Sequence, residues 1–180
     1  MGHWSLQLLK AMQDPKQIVL KSDLAVAIRD KYPKAKNHFL ILSQENIDDI
    51  YQLKRHHLLL LEEMELMGKN TVELIGGRLC DFKMGFHAQP SMKRLHLHVV
   101  SEDFISPCLK HKMHWNSFTT DFFIPCEKVR KRLQDFGSIE KPSEFEMKEL
   151  LKKELQCHKC SVRPRNIPQL KEHILKHQNI

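Results

Sequence analysis

The end of the chain carries Cys157, Cys160, His173 and His177, spaced Cys-x2-Cys-x12-His-x3-His. Two thiols from a tight knuckle and two imidazoles about one helical turn apart can close a tetrahedron on one soft cation. The spacing is that of two-Cys two-His zinc fingers. A segment of about 25 residues has too small a core to fold unaided, so metal binding must supply its folding energy. We therefore expect one structural zinc ion, with His158 a bystander inside the knuckle. The finger's helix, expected over 166–176, offers Gln169, Lys171 and Glu172, which make no obvious base-reading code. Contact with a nucleic-acid backbone suits it better.

Such a finger needs a body beside it. The polar stretch Ser138–Ser143, with Pro142, divides the 180 residues into a domain at 1–140 and a linker plus finger at 141–180. The larger part is long enough to bury a core of its own. On that division the finger is expected to unfold separately from the body. Apolar spacing predicts a short helix over Ser5–Met12 and strands at Ile18–Leu20, Leu24–Ile28 and His38–Leu42. A long helix from Ile47 to about Met67 is expected to close at Gly68. After Gly76-Gly77, strands are expected at Leu79–Phe86 and Leu95–Val100, then a helix near Glu127–Phe136 ending at Gly137. This order implies an α+β fold, with an antiparallel sheet and helices at one side and at the ends.

Lysine and arginine number 29 against 22 acids, a net charge of +7 that favours polyanionic partners. No apolar run approaches the roughly 18 residues a membrane helix requires, and no signal peptide is evident at the start. The cytosol or nucleus is the expected compartment. Cys80, Cys108 and Cys126 are scattered, which argues against a disulfide framework and against a nucleophilic thiol. Lys110, Lys112 and His114 form a basic run beside Trp115, an arrangement suited to tracking a DNA backbone. Trp4, with no large partner near it in sequence, is a candidate for stacking on a DNA end; packing on the body is the other reading.

The stretch Arg94-Leu95-His96-Leu97-His98-Val99-Val100 alternates at period two. On a strand, Leu95, Leu97 and Val99 face the core, while Arg94, His96 and His98 project together, about 6.6 Å apart. Two imidazoles and a guanidinium on one face suit phosphate handling. Taken alone, His-x-His could equally be a half-exposed strand or a transition-metal site. The neighbourhood adds His87-Ala88-Gln89-Pro90-Ser91 and, earlier, Asp30-Lys31-Tyr32-Pro33-Lys34 just before His38.

With these segments, and with Ser106–Lys110, His114–Phe118 and the finger, the chain resembles the histidine-triad superfamily and, within it, the aprataxin branch. The resemblance covers essentially the whole sequence. It implies a histidine-triad fold whose middle histidine, His96, attacks phosphorus; Arg94 stands where the superfamily has the first histidine. The implied reaction removes AMP from an adenylated 5′ DNA end through an AMP-histidine intermediate, leaving a 5′-phosphate, with no catalytic metal. By the same resemblance Lys34 and His98 neutralise the phosphate, Ser91 hydrogen-bonds it and His87 protonates the leaving group. Asp30 holds the ribose and His38 lines the nucleotide pocket. The implied partner is nicked or double-stranded DNA, RNA–DNA junctions included, and the implied compartment is the nucleus. Animal aprataxins often carry an N-terminal phosphopeptide-binding domain; with none here, repair scaffolds are not expected partners through this chain, nor is a membrane. Two other functions stay open: a histidine-triad hydrolase of small nucleotides or caps, and a non-catalytic zinc-finger DNA-binding protein.

Overall fold

The computed structural model describes residues 8–177. Its centre is one antiparallel sheet of β1 (Ile18–Lys21), β2 (Ala25–Arg29), β3 (His38–Ser43), β4 (Phe82–His87), β5 (His96–Ser101) and β6 (Phe123–Pro125). In space the order is β1-β2-β3-β5-β4-β6. The longer helices among the described residues are α1 (Leu58–Leu74), α2 (Lys112–Thr119), α3 (Cys126–Phe136), α4 (Glu144–Lys152) and α5 (Ile167–Leu175). A helical turn at 8–11 matches part of the helix expected over Ser5–Met12. The rest of that helix, and Trp4, lie outside the described residues.

β2 and β3 read as unbroken apolar runs because both of their faces are covered. Ala25, Ala27, Phe39 and Ile41 meet Leu60, Leu61 and Met64 of α1 on one side. On the other, Val26, Ile28, Leu40 and Leu42 pack on Leu8, Ala11 and Met12. β5 keeps the expected alternation, with Leu97 and Val99 in the α1 core. The opposite set is not open to solvent: His96 and His98 are both buried.

Three expectations require correction. The long helix begins only at Leu58, because Asp49 caps a 3₁₀ turn at Ile50–Gln52 and Leu53 is extended. It also runs through Gly68. A Cβ there would lie 3.0 Å from Val99 Cγ2 and 3.1 Å from the Met84 sulfur, so this glycine serves close packing of helix on sheet, and the chain turns instead at Gly76, where φ is +69°. Second, Arg94 does not share the histidine face. It precedes β5 with φ +119°, and its guanidinium donates to the Glu45 and Gln44 carbonyls at 2.7 and 3.3 Å. Third, the finger has no core apart from the body. Leu155, Ile167, Leu170 and Ile174 form one buried cluster with Val100, Phe104, Leu109, Trp115, Phe118 and Phe123.

Elements absent from the sequence reading are α2, β6 and α4. For α4 a local signal existed. Ser143 Oγ accepts from the Glu146 amide at 3.2 Å while Glu146 accepts from the Ser143 amide at 3.1 Å, a capping box at the end of the presumed hinge.

Candidate active site

The sheet register assembles the site. Residues opposite one another in a ladder lie on the same face, and His38 pairs with Val100, Leu40 with His98, and Gly85 with His98. Period two then puts His38 of β3, His96 and His98 of β5, and His87 of β4 on one face. Their rings meet: centroids are 4.2 Å apart for His87–His98, 4.9 Å for His96–His98 and 5.2 Å for His38–His98. Phe118 of α2 packs edge-on against His38, His87 and His98. The four histidines line a cleft of about 470 Å³, joined there by Asp30, Lys34 and Ser91.

Hydrogen bonds assign the proton on most of these rings. His96 Nδ1 sits 2.7 Å from the Arg94 carbonyl, which can only accept, so the proton is on Nδ1 and Nε2 keeps its lone pair. The Lys34 amide donates to His38 Nδ1 at 3.1 Å, so His38 carries its proton on Nε2 and donates to His98 Nδ1 at 3.0 Å. Neutral His98 therefore holds its own proton on Nε2, a buried atom with no hydrogen-bond partner. His87 is tied to the Ser117 backbone, and its Nε2 is likewise buried and unpartnered.

Burial keeps all four rings neutral. Desolvation pulls His38 down to about 4, partly offset by the nearby Asp30 carboxylate. It lowers His96 as well, against the bond to Arg94, and holds His87 and His98 well below the ordinary imidazole range. Burial also depresses the Lys34 ammonium, which donates to the Tyr32 carbonyl. The cleft thus offers unprotonated imidazole nitrogens on His96 and His87, beside an imidazole N–H on His98 and an ammonium on Lys34. That combination suits attack on a phosphorus whose oxygens need donors.

In the finger, the ligand atoms of Cys157, Cys160, His173 and His177 all lie within 4.8 Å of one another. Tetrahedral zinc, with Zn–S near 2.3 Å and Zn–N near 2.0 Å, requires S···N edges of about 3.5 Å and an N···N edge of about 3.3 Å. The observed separations are 3.5 Å for Cys157–His177, 3.1 Å for Cys160–His173 and 3.2 Å between the two imidazoles. The donor set fits one structural zinc ion.

The family model for the C-terminal binding domain of scavenger mRNA decapping enzymes matches residues 3–114, and that for C2HE/C2H2/C2HC zinc-binding fingers matches residues 119–179. Aprataxin of Gallus gallus is 45% identical over 178 residues, which span 98% of this chain and 56% of that one. The chain belongs to the aprataxin branch of the histidine-triad superfamily. An aprataxin-like protein of Drosophila melanogaster is 47% identical over 97% of this chain. The chain spans only 26% of the fly protein's length and about half of the chicken protein's. Among solved structures, the aprataxin ortholog Hnt3 of Schizosaccharomyces pombe superposes with a TM-score of 0.75 at 25% identity, covering 95% of this chain and 89% of that one. Hnt3 in complex with DNA and guanosine gives 0.66 at 25% identity, over 96% of this chain and 94% of that one.

Within this aprataxin-branch fold, the residues expected at the nucleotide (Asp30, Lys34, His38, His87, Ser91, His96 and His98) converge on one cleft. The basic run divides. His114, expected on a DNA surface, lines the same cleft, while Lys110 is exposed. Lys112 is engaged with the Glu154 carboxylate at 2.9 Å. Trp115 is fully buried and its indole donates to the Gln156 carbonyl at 3.0 Å, so it ties the finger to the body and has no face to offer a base. Sequence reasoning missed Phe118, Phe122, Met113 and Leu151 as cleft walls. Apolar residues on helices and loops carry no local sign of facing a cleft. Leu151 arrives from α4, beyond the presumed domain boundary.

Proposed function

We propose that the chain is a DNA 5′-adenylate hydrolase that clears abortive ligation intermediates during strand-break repair. The observation that carries this reading is the His96 imidazole, held by the Arg94 carbonyl with Nε2 unprotonated in a buried cleft that also contains Lys34 and His98. In the first step Nε2 attacks the α-phosphorus of AMP joined by pyrophosphate to the DNA 5′ end. An N–P bond forms, the P–O bond to the DNA phosphate breaks, and His87 supplies a proton to the leaving oxygen. Water then attacks the same phosphorus and gives up a proton to the now neutral His87, the N–P bond breaks, and AMP leaves.

Resting His87 is neutral, so the proton must come with substrate. A bound polyanion next to Nε2 favours the charged imidazole and reverses the depression that burial imposes. Lys34 and the His98 N–H bear on the phosphate oxygens, Ser91 hydrogen-bonds them, and Asp30 takes the ribose hydroxyls.

The net charge of +7 and the exposed Lys110 near the cleft support a DNA-borne leaving group, as does the existence of Hnt3 structures with DNA. The proposed place of work is the nucleus, which cell fractionation would check. Incubation with a nicked duplex bearing a 5′-adenylate should yield AMP and a 5′-phosphate, with an acid-labile AMP adduct on His96 trapped early. Adenosine as product would overturn the mechanism. Equal turnover of adenylated DNA and small adenylates would favour a small-nucleotide hydrolase instead.

A further inference from the structure

Lys171 lies on α5 of the finger, close to the zinc ligand His173 in sequence, and its half-buried side chain reaches back to the body. Its Nζ donates to the Ser106 carbonyl at 2.6 Å. Ser106 is itself buried, and its hydroxyl accepts from the Cys108 amide at 3.1 Å while donating to the Pro33 carbonyl at 2.5 Å. Pro33 immediately precedes Lys34, whose amide sets the His38 tautomer and whose side chain lines the cleft. Residues far apart in sequence thus stand in direct series between the zinc helix and the nucleotide loop.

The loop at 30–37 meets the sheet through backbone bonds only at its ends, Asp30 amide to His38 carbonyl and Ser101 amide to Asn37 carbonyl, both 2.9 Å. The segment at 101–108 provides its frame: Asp103 accepts from the Lys36 amide at 2.9 Å, Ser101 from the Asn37 amide at 3.0 Å, and Ser106 binds Pro33. Lys171 fixes the far end of that frame. A second contact runs in parallel, because Ala35 is buried in the same apolar cluster as Leu170 and Ile174 of α5.

We propose that Lys171 is a positioning residue of the nucleotide site, and that the Lys171–Ser106–Pro33 series makes phosphate binding at Lys34 depend on the docked finger. The inference rests on the reading of the cleft as a nucleotide site. A finger that only gripped DNA would leave affinity for a free mononucleotide untouched. A finger that frames the Lys34 loop would not.

The test uses the zinc-loaded full chain and compares AMP with adenosine, which lacks the phosphate, by calorimetric titration. Lys171→Met keeps the aliphatic stem and removes the ammonium. AMP affinity should fall about tenfold, the scale of one charge-assisted hydrogen bond, with adenosine affinity and zinc content unchanged. Lys171→Arg should restore most of the loss. Ser106→Ala, which breaks the next link, should reproduce it, and combining it with Lys171→Met should add little, as for residues acting in series. An unchanged AMP-to-adenosine ratio in Lys171→Met would overturn the inference and leave the nucleotide site standing, as would an equal loss for both ligands. Wild-type chain that binds AMP no better than adenosine would break the nucleotide-site reading itself, and the inference with it.

Discussion

The cleft and the finger both gather ligand atoms within 4.8 Å of one another: Asp30, His38 and His98 in the first, Cys157, Cys160, His173 and His177 in the second. What separates them is how the ring nitrogens are engaged. In the cleft, His38 Nδ1 accepts an amide proton and His38 Nε2 donates to His98, so the convergence is a hydrogen-bonded series that aims one N–H. In the finger, the two Nε2 atoms approach each other and the two thiols at tetrahedral edge lengths. Lone pairs so arranged call for a cation. Clustered histidines are therefore no signature of a metal until the second nitrogen of each ring has been accounted for.

The sharpest way to break this contrast is His96→Ala. Loss of a catalytic nucleophile costs on the order of 10⁶-fold in kcat, while the finger's zinc content should stay at one ion per chain. Turnover near the wild-type rate would move the chemistry out of the cleft. Next in size is His87→Ala, for which removal of a general acid predicts about 10²- to 10⁴-fold. Substrates with activated leaving groups should be spared. If they suffer equally in single-turnover assays, His87 is not the acid.

A third comparison asks whether the two regions are thermodynamically separate. Leu170 is fully buried in the cluster that includes Phe104, Trp115 and Phe118. Leu170→Ala should cost about 2–5 kcal/mol and lower a single cooperative melting transition of the whole chain. Chelation of the zinc should act in the same direction. Two resolved transitions in calorimetry, with the body unmoved, would restore an independent tail.

The last comparison is in pH. Burial depresses His38 to about 4, whereas in the unfolded chain it titrates near 6.5. As pH falls through 6.5 the unfolded state takes up the proton first. Stability is therefore full above that value and declines between about 6.5 and 4, by roughly 3 kcal/mol for this one ring. His87, His96 and His98, depressed by the same burial, add to the decline. Denaturation midpoints of His38→Gln should fall less steeply than wild type across that window. Parallel curves would show that His38 titrates normally.

How legible each part was depended on the range of the interaction that makes it. The apolar half of β5 was readable because alternation is a property of one strand, and it held for Leu95, Leu97 and Val99. It failed at Arg94, where the left-handed backbone ends the strand's periodicity. The finger's helix was readable from its ligand spacing and observed at Ile167–Leu175. Gly68 was misread as a stop because its neighbours, Val99 and Met84, belong to strands far away in sequence. Trp115 looked like a surface aromatic beside lysines for the same reason: the Gln156 carbonyl that its indole bonds is distant in the chain.

By itself the sequence determined the kinds of chemistry present. A period-two histidine pair and a Cys-x2-Cys, His-x3-His set depend only on the geometry of one strand, one knuckle and one helical turn. The tertiary structure alone decided which nitrogen of His96 carries the proton and that His38 and His87 join it across three strands. It also decided that the finger's apolar face completes the body's core and that Lys171 reaches Ser106. Apart from the His96 bond, whose partner Arg94 stands two residues away, each is a short-range force between groups far apart in sequence. Distance and orientation set its sign and size, and only the folded chain supplies them.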